Sequence, residues 1–125
     1  MNRKQYYDIP DLEQIYFEDS YVIRIIEKKE RLIFILDAVL KEGHTLYQPP
    51  KPDEKYCYRK AALIFPVLKW IAWREKKFIP YTDADSEIDY GNIDVFYSED
   101  STYHIEGDWG IVELRSETPT IWFDM

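Results

Sequence analysis

Tyr21-Val22-Ile23-Arg24-Ile25-Ile26, then Glu27-Lys28-Lys29-Glu30, then Arg31-Leu32-Ile33-Phe34-Ile35-Leu36: this stretch decides the fold. Two runs rich in β-branched and aromatic residues, separated by four charged ones, predict an antiparallel hairpin. Both runs are almost continuously apolar. Strands of that kind are expected to be covered on both faces, which places the hairpin centrally.

Working outward, Lys41 to Lys55 reads as a loop, because Pro49-Pro50-Lys51-Pro52 favours extended geometry and donates little to a ladder. Tyr56 to Phe65 follows as a strand with Cys57, Arg59, Ala61, Leu63 and Phe65 on one side. Val67 to Lys77 fits two periods. A helix would have Pro66 at its first position and Lys76-Lys77 at its basic end, but the aromatic and β-branched content favours a strand. After an acidic loop from Tyr81 to Gly91, short strands are predicted at Ile93–Tyr97, Thr102–Glu106, Ile111–Arg115 and Thr120–Phe123. Before the hairpin, residues 1–19 are polar and read as a peripheral segment. Pro10 to Tyr16 forms a short helical turn there, with Leu12, Ile15 and Tyr16 on one face. The prediction is one β-rich domain over 1–125. It is all-β, mainly antiparallel, and closes as a sandwich or partly open barrel built from hairpins, with one short N-terminal helix.

Aromatic residues make up 17% of the chain, which favours sheets and contact surfaces over helical bundles. The net charge of −8 is unevenly spread. Residues 1–77 carry 15 basic against 12 acidic side chains, whereas residues 78–125 carry Arg115 alone against 12 acids. Such a field opposes nucleic-acid phosphates and anionic lipid and favours a basic protein partner. A solvated acidic face serving solubility explains the same numbers. The lone Cys57 forms no internal disulfide, and no apolar run reaches the roughly 20 residues of a spanning helix, so a cytoplasmic location is expected.

No stretch carries a catalytic signature. Asp83, Asp85, Glu87, Asp89 and Asp94 alternate as hard-cation ligands would, but Ile88 stands where a calcium loop needs glycine and no long Glu closes the series. His44, His104 and Cys57 are isolated, without the paired spacing of a zinc site. No metal or cofactor is therefore expected. Gly107-Asp108-Trp109-Gly110 reads as a structural corner with Trp109 over the sheet end.

Leu46-Tyr47-Gln48-Pro49-Pro50, Tyr56-Cys57-Tyr58-Arg59 running to Phe65, Asp83 to Phe96, and Tyr103-His104-Ile105-Glu106-Gly107-Asp108-Trp109-Gly110 together resemble a family of small uncharacterised bacterial proteins. Size, acidity and strand content also look like those of immunity proteins that accompany bacterial polymorphic toxins. That second likeness is one of style and carries no diagnostic motif. The first implies no catalytic residues. The second implies a protein-binding domain that masks a basic toxin.

The expected function is thus protein binding, with Asp83, Asp85, Glu87, Asp89 and Tyr90 as contact residues. Two other readings stay open. One is a small-ligand-binding or enzymatic barrel whose pocket gathers Tyr58, Trp73, Asp94, His104 and Glu106. The other is a homo-oligomer that pairs exposed strand edges.

Overall fold

The computed structural model describes residues 3–78, 81–82 and 88–124. Eleven strands run in chain order: β1 (Arg3–Gln5), β2 (Ile15–Glu27), β3 (Leu32–Leu40), β4 (Cys57–Phe65), β5 (Leu68–Lys76), β6 (Tyr81–Thr82), β7 (Ile88–Asp89), β8 (Ile93–Glu99), β9 (Thr102–Gly107), β10 (Gly110–Ser116) and β11 (Thr120–Phe123). A five-stranded sheet has the order β1-β8-β9-β10-β5, and a four-stranded sheet the order β11-β4-β3-β2. Every pairing is antiparallel. The two sheets pack as a sandwich, so the all-β expectation holds.

The predicted hairpin is β2–β3, closed by the Lys28 amide donating to the Arg31 carbonyl at 2.8 Å. Residues 68–76 are a strand, and the helical alternative falls. Its aromatic side chains gain more on a pleated, half-covered surface than on a helix. At Asp100-Ser101 both residues take positive φ (49° and 69°), the twist a tight hairpin between β8 and β9 demands.

The core is aromatic. Phe17 on β2 meets Phe96 on β8 at 5.4 Å between ring centroids, and Phe65 on β4 meets Tyr103 on β9 at 5.4 Å. These pairs stitch one sheet to the other. Trp109, fully buried in the β9–β10 turn, donates its indole N–H to the Asn92 carbonyl at 3.0 Å and packs on Phe34 at 5.0 Å. Gly107 is required beside it: a Cβ there would lie 2.1 Å from the Asn92 carbonyl oxygen.

Among the described residues, 3–19 are not peripheral. Tyr6, Ile9, Leu12, Ile15 and Phe17 are all buried. The expected helical turn at 10–16 is absent as well. A single 3-10 turn spans Tyr6–Asp8, and Ile15 and Tyr16 already belong to β2, with Ile15 buried and Tyr16 exposed. Alternation along β2, invisible among so many polar neighbours, sorted those side chains.

The expectation that β2 and β3 are covered on both faces also fails. Leu32, Phe34 and Leu36 of β3 are fully buried, but the intervening Ile33 and Ile35 are only half-buried. β3 is an inner strand of its sheet, yet β2 is an edge. A two-layer sandwich leaves each sheet one outward face, whatever the residues on it.

Candidate functional site

Strand register fixes what each outward face displays. On the four-stranded sheet, one row across the strands reads Trp122, Ala62, Ile35, Arg24, and the next reads Thr120, Ile64, Ile33, Ile26. A third row holds Lys60, Asp37 and Tyr21, and a fourth Tyr58, Val39 and Tyr16, in which Val39 is itself buried. Trp122 is 67% exposed. None of Ile26, Ile33, Ile35, Ile64 and Trp122 packs against the core, whereas their strand neighbours Ile25, Ile121 and Phe123 do.

Two charged members of this face pair with each other, while Arg24 is exposed. The Lys60 ammonium sits 3.0 Å from the Asp37 carboxylate. Tyr21 and Tyr58 stack at 6.2 Å, and Tyr56 meets Tyr58 edge-on at 6.1 Å. Burial, reinforced by Tyr21, pushes the Tyr58 phenol up to about 12, so it stays protonated. With strands about 4.8 Å apart and rows about 6.8 Å apart, a four-by-four face covers about 500 Å². The two rows that hold Ile26, Ile33, Ile35, Ile64 and Trp122 are about half of it, near the lower end of the largest apolar patch on an ordinary monomer, roughly 300–600 Å². Its chemistry is that of an interface centre: aliphatic side chains, one exposed Trp, several Tyr and little unpaired charge.

The outward face of the five-stranded sheet is more polar, although Val95, Ile111 and the exposed Trp70 also lie on it. Tyr97, His104 and Glu113 stand side by side across β8, β9 and β10. The Arg3 guanidinium lies 4.1 Å from the Tyr97 ring centroid, and Tyr97 stacks on His104 at 4.9 Å. His104 Nε2 is 2.5 Å from the Glu106 carboxylate, and its Nδ1 is 3.7 Å from Glu113. Arg74 donates to Glu113 at 2.6 Å and holds that carboxyl below its usual range, against the opposing effect of burial. A shallow concavity of about 280 Å³ opens here, lined by Tyr97, Thr102, His104, Glu113 and Arg115 among others. The two carboxylates approach opposite nitrogens of the His104 ring, so they cannot share one metal with it. Among the described residues no His, Cys, Asp and Glu cluster fits a metal ion.

The five residues expected to line one pocket do not converge. Tyr58 lies on the outward face of the four-stranded sheet. Trp73, on β5, packs on buried Trp109 and donates to Glu27 at 2.7 Å. His104 and Glu106 are in contact on the opposite side of the sandwich, and Asp94 is exposed at an irregularity in β8. Burial pushes the Asp94 carboxyl up, helped by the nearby charges of Asp108 and Glu106.

Of the expected contact residues, Asp83, Asp85 and Glu87 lie outside the described residues. The Asp89 carboxylate accepts the Gly91 amide at 2.8 Å, and Tyr90 packs on the core while its amide donates to the Val22 carbonyl at 2.7 Å. Both support the edge of β2. The acids of the final third are not one uninterrupted negative face either, since Arg3 pairs with Glu99 at 2.6 Å and Arg74 with Glu113. Sequence reasoning missed the isoleucine face. Its signal was the continuous apolarity of Ile33 and Ile35, read as burial from both sides.

Comparison with known protein families, with curated proteins and with solved structures finds no match to this chain. Among the described residues no helix is long and apolar enough to cross a membrane.

Proposed function

We propose that this protein is a protein-binding domain whose contact surface is the outward face of β11, β4, β3 and β2. One observation carries the reading. Ile26, Ile33, Ile35, Ile64 and Trp122 form a continuous apolar surface outside the core, on strands that need polar residues there if the face is to meet only water. The surplus of acids makes a basic partner the favoured one, because a net charge of −8 speeds encounter with a cation. An immunity protein that masks a basic toxin is the form of this activity that the charge supports.

The test compares capture by the wild-type chain and by an Ile35→Lys, Trp122→Ser variant of equal thermal stability. The captured protein is then purified and its affinity measured against both. A defined, basic partner whose affinity falls at least tenfold with the variant, and whose association slows in high salt, is the expected result. If no protein discriminates the two chains, the reading is wrong.

A further inference from the structure

A flat face of about 500 Å² per partner gives an interface of about 1,000 Å² in total, the lower bound for a specific complex. A tight partner needs more than that face, and the sheet edge beside it supplies it. The geometry points to β11 as a strand-addition site: an extended segment of the partner pairs with its open edge and places basic side chains into an adjoining acid-rimmed groove. The inference rests on the protein-binding reading and names how the partner engages.

The edge comes first. The Asp124 amide donates to the Lys60 carbonyl at 3.0 Å, so Asp124 and, by alternation, Trp122 direct their backbone groups toward β4. Ile121 and Phe123 then direct theirs away from it. Among the described residues neither makes a hydrogen bond on that side. Among the described residues, the other three edges of the two large sheets are blunted. β1 is three residues long and carries Arg3 and Lys4. β5 has two register irregularities and carries Lys69, Arg74 and Lys76. β2 has two irregularities, and its Val22 is paired with Tyr90 and Gly91. These are the devices that keep edges from pairing. β11, Thr-Ile-Trp-Phe, carries no charge and no register irregularity.

The groove comes second. Beside β11 a cavity of about 430 Å³ is lined by Ile121, Phe123, His44 and Leu46 together with Asp11 and Glu13, with no Lys or Arg in its lining although the Arg59 guanidinium is near enough to act on His44. His44 lies edge-on to Phe123 at 4.9 Å, and its Nδ1 accepts the Leu46 amide at 3.0 Å. That hydrogen bond needs an unprotonated Nδ1, so this ring adds no positive charge to the rim. An apolar floor under two carboxylates suits a Lys or Arg side chain, whose aliphatic stem and cationic head match them in turn. A strand added to β11 alternates between this groove and the outward face at Trp122, so the matching sequence alternates basic with apolar residues. A second copy of this chain matches poorly, because pairing β11 with itself brings two acid rims together.

The experiment uses an eight-residue peptide of alternating isoleucine and arginine, its backbone N-methylated counterpart, and a version with glutamate for arginine. Amide hydrogen exchange is read by NMR on the full chain. The expected result is that the first peptide slows exchange at Ile121 and Phe123 about tenfold at nine-tenths saturation, while the other two do not. Ile121→Pro removes an outward amide without breaking the ladder to β4 and should abolish the effect; Asp11→Asn with Glu13→Gln should weaken binding about tenfold. No binding at millimolar peptide, or binding without protection at Ile121 and Phe123, overturns the inference. So does a natural partner that is held equally by the Ile121→Pro chain but lost by the Ile35→Lys, Trp122→Ser chain, and in that case protein binding itself stands. If neither variant changes capture, the protein-binding reading has failed as well.

Discussion

The two outward faces of one sandwich differ in composition. Across β8, β9 and β10 the residues between buried positions are mostly polar, Tyr97, Glu99, Thr102, His104, Glu106, Glu113 and Arg115, with Val95 and Ile111 among them and the exposed Trp70 of β5 beside Arg115. Most of the charges find partners within the face. Across β2, β3, β4 and β11 the corresponding places hold Ile26, Ile33, Ile35, Ile64 and Trp122. Both sheets face the same core, so the core does not require this difference. The first face is mostly charged and internally paired, and the second is mostly aliphatic.

The largest effect that separates buried from outward positions is in adjacent residues of β3. Leu36→Ala, at a fully buried site, is expected to cost about 3 kcal/mol in chemical unfolding, whereas Ile35→Ser should cost less than about 1 kcal/mol. Equal losses would mean that Ile35 is a core residue and the comparison of faces is void. Next is Trp122→Ala. Stability should hardly change, while affinity for a partner of this face should fall by about 2 kcal/mol, or roughly 30-fold by calorimetry. No loss of affinity would move the contact surface elsewhere.

The charged face gives smaller, pH-dependent effects. Arg74 holds the Glu113 carboxyl below its ordinary range, so the pair contributes above the unfolded carboxylate's range and is lost as pH falls through the depressed folded value. Glu113→Gln should lower stability at neutral pH by about 0.5 kcal/mol and flatten acid unfolding curves between neutral and strongly acidic pH. Asp94 has the opposite sign. Burial raises its carboxyl, so the folded chain holds that proton more tightly than the unfolded one and the ionised group is a liability above the raised value. Asp94→Asn should therefore stabilise slightly at neutral pH, by roughly 0.3 kcal/mol at this exposed site, with the gain vanishing in acid. Destabilisation by Asp94→Asn would mean that its charge has a favourable partner.

The strands were legible where periodicity was clean. Tyr103-His104-Ile105-Glu106 and Val112-Glu113-Leu114-Arg115 alternate strictly, and each polar residue lies outward. Residues 1–19 were illegible because Tyr6, Ile9, Leu12 and Phe17 are scattered among charges without a fixed period, being delivered to the core by turns. The candidate site was hidden for another reason. Continuous apolarity in β3 has the same appearance whether a second layer covers the strand or a partner does.

What the chain's residues determined by themselves is the strands from residue 56 to 76 and from residue 93 onward, the hairpin between residues 21 and 36, and the charge imbalance between the two parts of the molecule; β1, β6, β7 and the start of β2 were not among them. These depend on near neighbours and on local backbone preference. What only the tertiary structure decided is which isoleucines are core, that Asp89 and Tyr90 brace β2, and that Tyr58 and His104 stand on opposite sides. Those outcomes depend on register between strands far apart in the chain, and a sheet's two faces are distinguished only when the second sheet packs against one of them.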